Sequence, residues 1–263
     1  MKTLKDLNLE DDFLFAKVMS DKEICKEFLE KLLEIEIEKI EMTESQKTIE
    51  MLLQSKGIRL DIYVKDEKNT VYNVEMQRGN NRNIPKRLRY YQGNIDLDLI
   101  DRGEDYINLA KSYIIFICTF DLFRLGRHKY TFETICVEDP TIKLQDDTHK
   151  IILNTKGIKN DLSEELIGFL EYVEHSDSTT AEQSKGTLVK NIHKKVVEVK
   201  NNSNVEVEFM TLLERDREKI EEGRLEGIEL TKKVFKLLAK GESILNIARI
   251  CDISEEKVKE IIE

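Results

Sequence analysis

Several common motifs are missing from this chain of 263 residues, and each absence excludes a class of protein. The sequence has no long apolar run that could cross a bilayer, and its first residues are not followed by the apolar stretch of a signal peptide. The four histidines form neither an HExxH motif nor a cluster with cysteine. The missing apolar runs argue against a membrane partner and secretion, and the missing histidine motifs argue against a zinc site.

The cysteines are few and widely scattered, with no CxxC spacing among Cys25, Cys118, Cys136 and Cys251. Cys118 and Cys136 lie within apolar runs of the kind that form strands. Such cysteines are typical of buried thiols in a reducing compartment, and not of disulfides or metal ligands. We therefore expect a cytoplasmic protein with buried, reduced cysteines.

Basic residues are outnumbered by acidic ones, 42 against 52, and the net charge of −10 argues against a nucleic-acid partner at first sight. One segment departs from this balance, because residues 78–89 contain five basic residues and no acidic residue. These five are Arg78, Arg82, Lys86, Arg87 and Arg89. Such a patch can bind phosphates even on an acidic protein, although its affinity falls steeply with salt.

Two runs of alternating apolar and polar residues, 57–64 and 71–77, form the most informative part of the chain. Alternation is typical of half-buried strands, and the polar residues 66–70 between the runs predict a hairpin turn. Because strand faces repeat every two residues, one face of this hairpin is expected to be apolar. That face would consist of Leu60, Ile62, Val64, Tyr72, Val74 and Met76.

The other face of the hairpin would collect Asp61, Asn73, Glu75 and Gln77, whether Asp61 pairs with Glu75 or with Gln77. Two interpretations of this face are open. It is either the solvated polar face of an amphipathic hairpin or a metal site, since hard divalent cations such as Mg²⁺ prefer oxygen ligands. The hairpin alone favours the solvated face.

This pattern resembles the PD-(D/E)XK nuclease superfamily, in which a metal-binding Asp ends one strand and the next strand carries an acid, any residue and then Lys. The match is closer to one branch, the recombination-promoting nucleases or PD-(D/E)XK family transposases. In that branch the second strand often reads Glu-Met-Gln, as residues 75–77 do here. Residues 12–15, 87–91 and 103–106, with the apolar run 113–117, resemble its other motifs in the same order. The similarity covers about residues 5–155, with a looser match in the helical tail, and it favours the metal site.

The resemblance implies an endonuclease that hydrolyses DNA phosphodiester bonds with Mg²⁺ or Mn²⁺, and its family name implies recombination or mobile-element biology. Asp61, Glu75 and Gln77 would be the catalytic residues. Asp61 and Glu75 would hold the metal, with the backbone carbonyl of Met76 and the carboxylate of Asp12 as further ligands. A role for Asp12 as a helix cap before Phe13 is equally consistent with the sequence. The five basic residues of segment 78–89 would contact DNA.

Gln77 departs from the superfamily pattern, because a neutral amide can orient water but cannot supply the charge of a lysine. A nearby cation such as Arg59 or Arg78 is a candidate substitute. Two further interpretations therefore stay open. Besides an active nuclease, the chain could be a catalytically weak nucleic-acid-binding protein that retains the nuclease fold. It could also be an interaction protein whose acidic helical tail binds another protein.

Periodicity organises the remaining sequence. It predicts helices over residues 11–34 with a cap near Asp21, a helix from Pro85 to residue 101, and strands over 35–51, 112–120, 129–137 and 149–153. The resemblance names this arrangement as an α/β fold, a restriction-endonuclease-like mixed sheet flanked by helices, with an all-α C-terminal extension. The predicted domains are a nuclease-like core (1–160), a helical extension (161–240) and a small helix-turn-helix-like cap (241–263).

Within the extension, Asp161 is expected to cap a helix in a capping box with Glu164, and residues 176–184 are expected to form a polar loop. Residues 206–240 predict a long charged helix that packs on the core or pairs with a second copy as a homodimer. Ser254 is a good N-cap for the last helix, whose acidic character suits protein binding at least as well as phosphate contacts.

Overall fold

A computed structural model describes residues 3–42, 48–49, 58–80 and 82–263, with the side chains of residues 48, 49, 58 and 59 outside the description. The chain forms two compact units, Met1–Ser203 and Asn204–Glu263. No helix in the described ranges is long and apolar enough to cross a membrane.

The first unit contains eight strands and six α-helices among its described residues. In chain order they are α1 (Asp12–Met19), α2 (Lys22–Leu33), β1 (Ile40–Met42), β2 (Thr48–Ile49), β3 (Ile58–Arg59), β4 (Ile62–Asp66), β5 (Val71–Gln77), α3 (Ile84–Leu99), β6 (Ser112–Cys118), β7 (Lys129–Phe132), β8 (Thr148–Asn154), α4 (Glu164–Glu174), α5 (Ser178–Gln183) and α6 (Leu188–Lys200). Six strands form one sheet in the order β1-β4-β5-β6-β8-β7. The pairs β5–β6 and β6–β8 are parallel and the others antiparallel, which confirms the predicted mixed sheet flanked by helices.

The β4–β5 hairpin is confirmed, with Ile62 opposite Val74 and Val64 opposite Tyr72. Asp66 builds its turn, because the Oδ1 atom accepts hydrogen bonds from the backbone amides of Lys68 (2.9 Å) and Thr70 (2.8 Å). This turn fixes the register, and the register fixes which side chains of β5 face each side of the sheet.

Both faces of this hairpin are buried, so the interpretation of a solvated polar face is wrong. Asn73, Glu75 and Gln77 are only 0%, 2% and 9% exposed. Their face of the sheet packs under α3 in a core cluster of Leu60, Tyr63, Val71, Ile84, Leu88, Tyr91, Ile95, Ile114, Phe116, Cys118 and Ile152. Leu60 belongs to this cluster, although alternation placed it with Ile62 and Val64. The chain bends at Asp61, between β3 and β4, and the bend interrupts the alternation.

The start of α1 is held near the end of α4 by several hydrogen bonds. The backbone amide of Glu10 donates to the carbonyl of Val173 (2.9 Å), and that of Leu9 donates to Oγ of Ser176 (2.7 Å). The side chain of Asn8 donates to the carbonyl of Glu174 (2.5 Å). Contacts of α6 with α1, α2 and α4 complete this helical layer.

Four local predictions differ from the structure. The strand predicted over 129–137 ends at Phe132, and Cys136 lies beyond it and is only partly buried. The predicted loop 176–184 contains the short helix α5. Helix α4 is capped by Ser163, while Asp161 accepts hydrogen bonds from the backbone amide of His128 and pairs with its Nδ1, both at 3.1 Å. The strand predicted over 35–51 is reduced to β1 and β2, and residues 43–47 and 50–51 lie outside the description.

The second unit begins within α7 (Ser203–Leu238), a helix of 36 residues, and continues with α8 (Ile244–Cys251) and α9 (Glu255–Ile262). A small core of Val234, Ile247, Ala248 and Val258 joins the end of α7 to α8 and α9. Ser254 caps α9 as predicted, since its side chain accepts from the backbone amide of Lys257 (3.2 Å).

Candidate active site

A cleft of about 670 Å³ opens where β5 and β6 end. It is lined by Glu10, Asp12, Asp61, Glu75, Met76, Gln77, Arg78, Gly79, Arg87, Tyr91 and Thr119. Residues from the start of α1, the hairpin, α3 and the end of β6 therefore converge on one space. All four predicted metal ligands line this cleft, together with two of the five predicted DNA contacts.

Two backbone-to-carboxylate hydrogen bonds hold Asp61 beside Glu75 and Met76. The backbone amide of Asp61 donates to Oε1 of Glu75 (3.1 Å), and the backbone amide of Met76 donates to Oδ2 of Asp61 (3.1 Å). Each carboxylate thus accepts a bond from the opposing chain segment. The bend at Asp61 frees its backbone amide to point at a side chain and not at a strand partner, which draws the two acids together.

Burial and the negative charge of Asp61 raise the pKa of Glu75 well above its usual range. The guanidinium of Arg87, whose Nη2 lies 3.6 Å from Oε2 of Glu75, offsets part of this unfavourable charge. Two carboxyl groups held this close in a buried place repel each other, and an added cation would relieve the repulsion.

Arg87 lies inside the cleft and contacts the catalytic candidates directly. Its Nη1 donates to Oε1 of Gln77, and its Nη2 donates to the hydroxyl of Tyr91 (2.9 Å). The guanidinium also lies over the ring of Phe116, 5.1 Å from its centroid. The amide of Gln77 is fixed from its other end, because Nε2 donates to the carbonyl of Gly79 (2.6 Å). A positive charge therefore stands beside the position at which the superfamily has a lysine.

Asp12 lines the cleft and is not the cap of α1. Asp11 holds the cap position, where its Oδ1 accepts from the backbone amide of Phe13 (3.2 Å). The helix-cap interpretation of Asp12 is therefore wrong. Asp12 is the first residue of α1, and it is one of four acids that line the cleft, with Glu10, Asp61 and Glu75.

The remaining basic residues lie at the rim or outside the cleft. Arg78 lies 3.6 Å from Asp11 and 3.9 Å from Glu10, so its charge is partly balanced. Arg82, Lys86 and Arg89 are exposed on the loop before α3 and on its first turns. The side chain of Arg59, the other candidate substitute for a lysine, is outside the described residues.

Sequence reasoning missed four contributors to the cleft: Glu10, Gly79, Thr119 and the hydroxyl of Tyr91. The ring of Tyr91 packs in the core cluster under α3, while its hydroxyl reaches Arg87. Thr119 follows β6 and donates from its hydroxyl to the carbonyl of Arg78 (3.1 Å). The spacing of Arg87 and Tyr91, four residues apart on a helix, was the one available signal.

The donor set suits a divalent cation that keeps much of its water. Across the described ranges, no three Asp, Glu, His or Cys side chains are grouped to hold a metal by themselves. Mg²⁺ is commonly bound through one or two carboxylates, with water and substrate phosphate completing its shell. The adjacent carboxylates of Asp61 and Glu75 match that mode.

A mixed sheet flanked by helices, with paired acids where a central hairpin strand ends, is the arrangement of restriction-endonuclease-like α/β proteins. The family model described as PD-(D/E)XK nuclease family transposase matches residues 10–233. The chain belongs to this family, and the resemblance in its motifs is confirmed. Searches of curated proteins and of solved structures found no match.

Proposed function

We propose that this protein is a metal-dependent DNA endonuclease that hydrolyses phosphodiester bonds, with Asp61 and Glu75 as its metal ligands. The observation that carries the proposal is the pair of backbone hydrogen bonds, from Asp61 to Glu75 and from Met76 to Asp61, that holds these two carboxyl groups in a cleft that also contains Arg87. Membership of a nuclease family supports the same reaction class and a DNA substrate.

Each residue of the cleft would have a role that follows from its position. Asp61 and Glu75, with the carbonyl of Met76 and the carboxylate of Asp12 as additional oxygen donors, would hold Mg²⁺ or Mn²⁺. A bound divalent cation supplies a water of lowered pKa and neutralises charge that develops on the phosphate. Gln77 would orient that water, while Arg87 would stabilise the phosphate charge in place of the superfamily's lysine.

The exposed basic residues would place the DNA over the cleft. Arg82, Lys86 and Arg89 are exposed, and Arg78 lies at the rim, so they would contact backbone phosphates and not bases. The proposal includes a cytoplasmic location, a link to recombination or mobile elements, and pairing of two copies through the helical extension. A nucleic-acid-binding protein without cleavage activity is the alternative, since Gln77 supplies no charge.

Plasmid cleavage with Mg²⁺ or Mn²⁺ tests the proposal, comparing wild type with Asp61→Ala, Glu75→Gln and EDTA treatment. Asp98→Ala is the matched control, because Asp98 is an exposed acid of α3 outside the cleft. We expect cleavage by wild type and Asp98→Ala, and none by the other variants or with EDTA. Cleavage that survives Asp61→Ala or EDTA would contradict the proposal.

Metal binding has a second readout that does not depend on cleavage. A cation that binds only the folded protein raises the melting temperature. We expect Mg²⁺ to raise that of wild type and Asp98→Ala, but not that of Asp61→Ala. DNA binding and a Mg²⁺-dependent melting shift without any cleavage would favour the binding alternative.

A further inference from the structure

A stripe of apolar side chains runs along α7 on a side that the second unit leaves uncovered. Its members are Met210, Leu213, Ile220, Ile228, Phe235 and Leu238. Ile220 is 72% exposed and Phe235 is 46% exposed, while Met210 and Leu213 are partly buried. At 3.6 residues per turn the six side chains fall within an arc of about 80° around the helix. They therefore form one narrow surface, named here the α7 stripe.

The α7 stripe is separate from the face that stabilises the second unit. Leu230, Val234 and Leu237 pack with α8 and α9 around the small core, and no stripe residue belongs to that cluster. The stripe also does not suit DNA, because residues 206–229 carry nine acidic and four basic side chains. A stripe of this width is the kind of surface that pairs with another helix.

The order of residues on the stripe identifies its partner. Met210 and Leu238 lie 14 residues on either side of Arg224, Leu213 and Phe235 lie 11 residues away, and Ile220 and Ile228 lie four residues away. The steps along the stripe are combinations of three and four residues, as in coiled coils. In a two-fold interface, residue i contacts j while j contacts i. A pattern that reads the same in both directions is what such an interface requires.

We propose that α7 pairs antiparallel with α7 of a second copy of this chain, with the two-fold axis at Arg224. The pairing specifies the surface and orientation of the homodimer included in the proposed function, and it does not depend on metal or DNA. Met210 would then lie against Leu238 of the partner, Leu213 against Phe235, and Ile220 against Ile228.

Charge along α7 selects the antiparallel orientation. The segment 206–229 is acid-rich, whereas 230–240 contains four lysines and no acid. A parallel pair would place the acidic segments together and the basic segments together, which is unfavourable. In the antiparallel pair Lys240 lies level with Glu208, and Lys232 lies level with Asp216, so each basic end faces an acidic segment.

The molar mass of the full chain in solution tests the surface. We expect wild type at twice the 30.8 kDa of one chain, and the double variant Ile220→Glu, Ile228→Glu at the mass of one chain. Leu225→Glu is the matched control, because Leu225 is 51% exposed on the same helix but lies about 100° away from the centre of the stripe. The control should stay dimeric, and all variants should keep the wild-type circular dichroism spectrum.

Single cysteines test the orientation, in a background in which the partly exposed Cys136 and Cys251 are replaced by serine. Under mild oxidation, Arg224→Cys should cross-link to itself across the axis. Leu213→Cys alone should not, whereas a mixture of Leu213→Cys with Phe235→Cys should cross-link.

Each outcome has a distinct meaning. A monomeric wild type, or a dimer that survives the double glutamate variant, overturns the proposed surface. Self-cross-linking of Leu213→Cys overturns the antiparallel orientation. Metal-dependent cleavage measured on the same samples reports on the nuclease proposal separately, so failure of one does not imply failure of the other.

Discussion

Arg87 brings a positive charge to Gln77, the residue at which the candidate site departs from the superfamily pattern. A lysine on β5 would place its ammonium at the end of the strand, whereas here Gln77 holds a guanidinium that comes from α3. The guanidinium group of Arg87 contacts Gln77, Glu75 and Tyr91 at once. A lysine side chain has one nitrogen and could not make these contacts together. The positive charge beside Glu75 therefore comes from a helix and not from the strand.

Replacing Arg87 therefore tests whether it supplies the missing charge. We expect Arg87→Ala to lower kcat by about 10²–10³-fold, the usual effect of losing one donor that stabilises developing charge. Arg87→Lys should recover little of this loss. Single-turnover cleavage at saturating DNA is the measurement, with melting curves to confirm folding.

Arg89→Ala is the control for Arg87, because Arg89 is exposed on the same helix and outside the cleft. It should weaken DNA binding and leave cleavage of bound DNA unchanged. If Arg87→Ala cleaves DNA at the wild-type rate, a group other than Arg87 stabilises the charge that develops on the phosphate.

Sequence reasoning placed the acids of the candidate site on one face of the hairpin but did not predict their surroundings. Alternation along two strands is a local property, so the positions of Asp61, Glu75 and Gln77 relative to one another could be predicted. Whether their face is solvated depends on where α3 packs, and that depends on long-range contacts such as those of Tyr91 with Phe116. The same limit explains why Arg87 was expected at the DNA surface and not beside Glu75.

Among the elements, α6 is stabilised by a residue of another helix. Thr187 precedes α6 but makes no side-chain cap hydrogen bond. The carboxylate of Glu165 on α4 accepts instead from the backbone amides of Thr187 (2.7 Å) and Leu188 (2.9 Å), and Lys31 Nζ lies 2.7 Å from its Oε2. No local sequence pattern predicts this cap, because Glu165 lies more than 20 residues before the start of α6.

Glu165→Gln should weaken this cap in a pH-dependent way. Burial raises the pKa of Glu165, but hydrogen bonds from Leu188, Lys31 and Thr187 outweigh it and lower that pKa overall. The stabilisation is therefore present above the unfolded carboxyl pKa of about 4.3, and it is lost as the pH falls through the lower folded value. We expect Glu165→Gln to reduce the free energy of unfolding by about 1 kcal/mol at neutral pH, since bonds to charged groups are the stronger ones.

Urea denaturation at several pH values measures this difference. Glu164→Gln is the control, because Glu164 forms an exposed pair with Lys185, and such pairs contribute little. A loss of stability by Glu165→Gln that does not shrink in acid would show that the charge of Glu165 is not its source.

At the scale of the whole molecule, a net charge of −10 must be reconciled with a DNA substrate. The proposed DNA contacts are confined to the segment 78–89, so few phosphates can be contacted, and binding should be weak and salt-sensitive. We expect Lys86→Ala and Arg89→Ala each to flatten the slope of log K against log salt by about 0.9, as for one lost phosphate contact. Titration of labelled duplex DNA over a salt series is the measurement. Unchanged slopes would place the DNA elsewhere on the protein.

Every residue that lines the cleft lies before Ser203, within the first of the two compact units. The boundary predicted at residue 160 rested on a change from strands to helices, but α6 packs on α1 and α2 and belongs to the first unit. We therefore expect residues 1–202 to unfold cooperatively alone and to keep the Mg²⁺-dependent rise in melting temperature. The same fragment should be monomeric, because it lacks α7.

A fragment of residues 1–160, which lacks α4 and α6 and so exposes apolar side chains of α1 and α2, should fail to fold. Folding of the shorter fragment would restore the predicted boundary, and a dimer of the longer one would move self-association away from α7.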